Sequence, residues 1–244
     1  ILFIKNYSNP AKITYSFVDS TLQRLVEPEV EAIALANPIS ADMDVMRTTL
    51  WPGLVQAMLH NTNRQQSSVR LFESGLAFTN TQERLTQTPC LAGLVTGRVF
   101  SRQWAEKDRE VDFFDVKADV ETLLGLGGNA GRYRFVAGAH SALHPGQCAC
   151  VETSEGSVGW LGMLHPRIPQ TIKYSGNIFV FELNLNKIRD GKLPEFKALS
   201  KFPIVTRDLS VVVDESVSSQ SVRDCVGQCT GDVLKNLELF ESKI

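Results

Sequence analysis

Ile13, Tyr15 and Phe17 alternate with polar neighbours along Lys12–Val18, a period of two that predicts a half-buried strand. Asn37-Pro38-Ile39-Ser40 reads as a turn. The spacing then changes. Leu50, Leu54, Val55, Met58 and Leu59 form one stripe at helical period, and Pro52 lies in the first turn, so a helix is predicted over Trp51–Asn63. Val69–Phe78 returns to strand character, with Gly75 inside it as a bulge or a close backbone approach. Cys90–Thr96 is almost wholly apolar and reads as a central strand.

Val116, Val120, Leu123 and Leu124 place a second helix at Phe114–Leu124, stopped by Gly125, Gly127 and Gly128. Arg132–Val136 and Gln147–Glu152 read as strands, and Ser154-Glu155-Gly156 turns the second of them into Val158–Leu164 as a hairpin. Ile178–Leu185 is the last strand of this unit. Neighbouring strands joined by short turns, with helices between others, indicate an α+β fold: a mostly antiparallel sheet with flanking helices.

Gly191, Pro194 and Pro203 among mixed charges mark a linker over Lys187–Pro203. The pattern beyond it predicts a strand at Leu209–Val213, a helix at Ser219–Cys229 and a strand at Leu234–Phe240. That β-α-β order is half of a ferredoxin-like fold. The expected domains are therefore 11–195 and 196–244.

With 43% hydrophobic and 21% charged residues the chain can bury an ordinary core. Its net charge is -2, and the balance holds in both parts, with 19 basic and 20 acidic residues before Phe196 and 6 and 7 after it. Strong phosphate-driven binding of nucleic acid needs a basic surplus, so a stand-alone tRNA-binding module is disfavoured. Five cysteines, an odd number on a chain of this length, fit reduced thiols in the cytoplasm. No apolar run approaches the roughly 18 residues of a membrane span. The first residues are too short and lack the basic start of a signal peptide, and the absence of an initial Met suggests an excerpt.

Three candidate chemistries have simpler readings. His140, His144, Cys148 and Cys150 offer zinc-type ligands, but Pro145-Gly146 breaks any helix that would align the histidines, so a turn leading into a strand with core thiols is preferred. None of the cysteines has a convincing base beside it for nucleophilic work. Gly125-Leu126-Gly127-Gly128 follows a helix instead of opening one, which favours a helix stop over a phosphate cradle.

Longer segments carry more. Ile13-Thr14-Tyr15-Ser16-Phe17, Met46-Arg47-Thr48-Thr49-Leu50, Asn63-Arg64-Gln65-Gln66 and Val69–Phe78 resemble the bacterial phenylalanyl-tRNA synthetase beta subunit family. So do Val111–Lys117, Leu143-His144-Pro145-Gly146-Gln147, and Lys201-Phe202-Pro203 before Arg207-Asp208, in the same order and from about Ile13 to the end. The resemblance implies a class II synthetase-like domain at 11–195 that is a catalytically silent copy of the alpha fold, followed by the start of an anticodon-binding domain. It implies two alpha and two beta subunits, with ATP, phenylalanine and the tRNA-Phe 3′ end on alpha. The ATP and Mg2+ of the holoenzyme then have no site in this fragment.

Specific positions follow from the family's motifs. Where a working site ends its second motif in Gly-Arg-Val-Tyr-Arg, this chain has Gly75-Leu76-Ala77-Phe78-Thr79, and Thr79 brings no charge to the ATP phosphate. Against Gly-x-Gly-x-Glu-Arg stands Glu182-Leu183-Asn184-Leu185-Asn186-Lys187. Glu182 and Asn184 add side chains where a nucleotide needs space, and Lys187 lacks the planar fork of arginine. An ATP-dependent ligase acting on its own is therefore disfavoured. The resemblance also places the Trp51–Asn63 helix at a subunit interface, with Trp51, Leu54 and Met58 as contact candidates; the alternative is that the stripe covers its own sheet.

Overall fold

The computed structural model describes residues 13–81, 84–100, 103–105, 107–128, 130–189, 191 and 203–240. The chain divides into two compact units, Ile1–Glu195 and Phe196–Ile244. The first unit opens with β1 (Phe17–Val18), α1 (Ser20–Val26), β2 (Val45–Met46), α2 (Trp51–Thr62) and the hairpin of β3 (Val69–Thr81) and β4 (Arg84–Thr96). It continues with α3 (Phe113–Gly125), β5 (Arg134–Ala137), β6 (Leu143–Thr153), β7 (Gly156–Leu164), α4 (Arg167–Thr171), β8 (Ile178–Asn184) and α5 (Leu185–Ile188).

Six strands form one sheet in the order β3-β4-β8-β7-β6-β5, every neighbouring pair antiparallel. Strand alternation sends side chains to two faces, and each face has its own core. On one, Leu71, Ala77, Ala92, Leu94, Ile178, Val180 and Cys148 pack with α2. On the other, Val95, Val151, Leu161, Phe179, Phe181 and Leu183 pack with Val116, Val120 and Leu124 of α3. Asp112 starts α3 with a reciprocal capping box to Asp115. The two-residue turn Ser154-Glu155 joins β6 to β7, and Gly156 at φ 113 supplies the backbone the turn demands.

Gly75 makes no bulge: Ser74, Gly75 and Leu76 pair in unbroken register with Leu91, Cys90 and Pro89. The predicted strand from Lys12 shrinks to Phe17–Val18, with Ile13 and Tyr15 exposed, because its antiparallel partner β2 is only two residues long. Lys12 and most of the predicted linker lie outside the described residues. Helix α1 was not anticipated; Asp19 caps it through Thr21 N and Leu22 N.

The three contact candidates on α2 stand in this chain's own core and not at its surface. Trp51, Leu54 and Met58 are 2%, 0% and 0% exposed, and they cover this chain's own sheet. A side chain with no free surface has nothing to offer a partner.

In the second unit the helix α6 (Ser219–Thr230) forms with Ser218 as its cap. The two strands predicted around it do not. Among the described residues Leu209–Val213 and Leu234–Phe240 join no ladder, and Leu209, Val211, Val213, Leu237, Leu239 and Phe240 are exposed. Alternation marks strand potential, but a strand exists only where a neighbour takes its backbone hydrogen bonds. The ferredoxin-like β-α-β thus has its helix but no strand pairing among the described residues.

Candidate functional site

The sheet face under the start of α2 carries charge where its neighbours are apolar. Register places Glu73, Ala92, Glu182 and Trp160 in one row across β3, β4, β8 and β7. The next row on the same face is Gly75, Cys90 and Asn184. Over these rows passes the segment Arg47-Thr48-Thr49, and each of its three side chains engages a different carboxylate.

Arg47 Nη1 lies 2.6 Å from Glu73 Oε1, and both side chains are only 3% exposed. Arg47 Nε donates to Leu76 O at 2.9 Å and Nη1 to Thr14 Oγ1 at 3.0 Å, while Thr14 Oγ1 donates to Glu73 Oε2 at 2.7 Å. The guanidinium thus has its charge and its fork satisfied inside the chain. It also explains Gly75: a Cβ there would meet Arg47 Nη2 at 2.1 Å.

Thr48 donates from Oγ1 to Glu27 Oε2, and the buried Gln23 amide donates to both Thr48 Oγ1 and Glu27. Thr49 Oγ1 and Leu50 N each donate to Glu182 Oε2 at 2.8 Å. Leu50 has no side-chain cap to give α2, so the Glu182 carboxylate serves the free amide and the positive end of the helix dipole. Trp51 Nε1 then donates to Phe181 O at 3.2 Å, fixing the helix on β8.

Loss of water pushes the Glu182 acid up to about 7, the Glu27 charge adding to it against the opposing pull of Leu50 N–H and the Thr49 hydroxyl. Burial likewise raises Glu27. The Cys90 thiol is pushed up to about 12, by burial first and then by the Glu182 charge, so it is a core thiol and no nucleophile at neutral pH.

The four degenerate ATP-motif positions do not gather. Glu182 and Asn184 share a face two residues apart. Asn184 accepts from Asn186 N at 2.9 Å and so caps α5. Lys187 is exposed and donates from Nζ to Ser157 O at 2.6 Å on β7. Thr79 pairs with Thr86 past the end of β8, four residues along the strand from Gly75, or about 13 Å. This set does not fit ATP: the cation nearest the rows is Arg47, already neutralised by Glu73, and Glu182 occupies the helix N-terminus that would favour an anion.

The remaining candidates disperse as well. His140 sits between Trp51 and Trp160, with ring centroids 5.2 and 5.3 Å away, and burial lowers its pKa. His144 Nδ1 accepts from Gly146 N at 3.0 Å, Cys148 lies in the core and Cys150 Sγ is 3.1 Å from Ser157 Oγ. Among the described residues no three potential ligands converge as a metal site. No helix among them is long and apolar enough to cross a membrane. Gly128, at φ 71, belongs to the stop of α3. Two surface grooves, one lined by Arg132, Arg134 and Glu152 and one by Phe114, Phe135 and Gln147, lie towards the β5–β6 edge and away from the charged rows.

Sequence reasoning missed Glu27, Glu73 and the role of Arg47. One signal was present: in the alternation of Val69–Phe78, Glu73 falls on the same side as Leu71 and Ala77, a charge on an inward face that demands a partner.

Residues 12–185 match the phenylalanyl tRNA synthetase beta chain CLM domain. The phenylalanine–tRNA ligase beta subunit of Pseudomonas fluorescens Pf-5 is 50% identical over 229 residues, covering 94% of this chain and 29% of that protein. The beta subunit of Nitrosococcus oceani is 46% identical over 230 residues, with the same coverage of 94% and 29%. The chain thus spans about 29% of the length of these relatives. In fold it is similar to PylSc of Desulfitobacterium hafniense, a pyrrolysyl tRNA synthetase, with a TM-score of 0.55 at 12% identity over 77% of this chain and 64% of that one. That likeness places the antiparallel sheet and its helices among synthetase-like folds, and with the family match over most of its length the chain belongs to the phenylalanyl-tRNA synthetase beta chain family.

Proposed function

We propose that the chain is a non-catalytic part of the beta subunit of phenylalanine–tRNA ligase, one that assembles with the catalytic alpha subunit and supports aminoacylation of tRNA-Phe. The observation that carries this reading is the clasp of Glu73, Glu27 and Glu182 on Arg47-Thr48-Thr49. The chain's own side chains satisfy one another where a working synthetase would turn charge towards a nucleotide. ATP and Mg2+ are then handled by the alpha subunit, in a cytoplasmic assembly of two alpha and two beta subunits. The near-neutral charge argues that tRNA is gripped by the assembly and not by this chain alone.

Co-expression of the full chain with the alpha subunit tests the reading. The expected result is a stable complex that elutes as one species and retains both chains at high dilution. Failure to form a complex, with both chains folded, would contradict it.

A further inference from the structure

We propose that the connection from β4 to α3 is a docking knob for the catalytic alpha subunit, with Trp104 as its anchor; the assignment rests on the assembly proposed above. Trp104 is 98% exposed. Tryptophan is highly buried on average, because so large an apolar side chain is costly to leave in water. Among the described residues of the first unit four aromatic side chains are exposed: Tyr15, Phe100, Trp104 and Phe114. The last three share one stretch of chain, Phe100 and Trp104 on the connection and Phe114 in the first turn of α3.

The connection is mounted on a fixed base. Gly97, at φ 86, starts it where a Cβ would meet Ser67 O at 2.1 Å. Arg98 N donates to Ser68 Oγ at 2.8 Å, Val99 N to Arg109 O at 3.1 Å and Val111 N to Gly97 O at 2.9 Å. Val99 and Val111 are buried in the core beneath α3. Arg109 binds Asp115 through both Nη1 and Nη2 at 2.6 Å, which ties the returning limb to the helix. A side chain carried on a base already ordered leaves less freedom to lose when a partner binds.

Phe114 extends the surface into a groove of about 560 Å³, lined also by Phe113, Lys117, Phe135, Gln147 and Ala149. The groove has room for an apolar side chain from the partner. Covering Phe100 (43% exposed), Phe114 (72%) and Trp104 would bury roughly 450 Å². That is more than half of the ~800 Å² each partner gives to a standard interface.

The charges select a protein as the occupant. Arg98 pairs with Asp108, Arg109 with Asp115 and Lys117 with Glu121. Gly97–Val111 holds four basic and three acidic residues, so little positive charge is left for a nucleic-acid backbone. Trp51, Leu54 and Met58 are committed to the core, which leaves this stretch as the exposed surface of the first unit richest in aromatic side chains. Buried aromatic anchors carry most of the affinity at protein interfaces.

The test is affinity for the alpha subunit, measured with the full chain and its Trp104→Ala variant. We expect the variant to keep the wild-type thermal midpoint and to bind the alpha subunit at least about 30-fold more weakly. Acrylamide quenching of the emission that the wild type has and Trp104→Phe lacks should fall when the alpha subunit is added. If the wild type forms the complex and Trp104→Ala binds equally well, the knob is overturned while the proposed function stands. If the wild type forms no complex with both chains folded, the proposed function itself fails. A variant that binds the alpha subunit normally but loses tRNA-Phe, or that turns a wild-type dimer of this chain into a monomer, would overturn the choice of partner.

Discussion

Replacing Arg47 with methionine is expected to destabilise the chain by about 3–5 kcal/mol, the usual loss when one partner of a buried ion pair is removed. The cause is what remains. Glu73, 3% exposed, would be left with only the Thr14 hydroxyl and backbone amide for partners. Leu76 O would lose its donor, and the space over Gly75 that the guanidinium fills would empty. Removing both charges, as Arg47→Met with Glu73→Leu, should recover most of the loss, because a neutral pair of similar volume no longer strands a carboxylate. Urea denaturation of the two variants and the wild type measures it. A loss below about 1 kcal/mol for Arg47→Met would mean the pair behaves like a surface bridge, and the account of this face would be wrong.

Trp51→Ala should cost a similar amount, about 3–5 kcal/mol, for a different reason. Trp51 is 2% exposed, sits in the core under the sheet and donates to Phe181 O, so its removal leaves a cavity and takes away that hydrogen bond. The consequence for assembly is specific. If Trp51 were a contact residue, the variant would fold normally and bind the alpha subunit weakly. As a core residue it should lower the denaturation midpoint and, at temperatures where the chain remains folded, leave affinity for the alpha subunit unchanged. Thermal denaturation and binding measured on one preparation separate these outcomes.

The elements that could be read from the sequence are those whose pattern is long and local. The α2 stripe and the Ser154-Glu155-Gly156 turn appear within a residue or two of expectation, and β3 starts at Val69 as expected and runs three residues further to Thr81, since each is set by near neighbours. The strands at Leu209–Val213 and Leu234–Phe240 had the right local pattern and failed, because a ladder is a non-local property. The site was less legible. The family's last motif marks Glu182 as a carboxylate standing where a nucleotide would need space, and says nothing of what it binds in this chain. Its partners, Thr49 and Leu50, lie more than 130 residues away, and nothing in the chain's order joins them to it. Glu73 and Arg47, 26 residues apart, meet only once β3 lies beside the start of α2. Lys187, read as a weakened phosphate ligand, turned out to be tied to a carbonyl on β7.

The central claim is that this face is closed upon itself and offers no nucleotide site. Calorimetric titration of the full chain with ATP and Mg2+ tests it most directly. The account predicts no saturable heat corresponding to a Kd below about 1 mM for the chain on its own, where no alpha-subunit site is present. Saturable binding tighter than that, lost on substitution of Arg47 or Glu182, would contradict it.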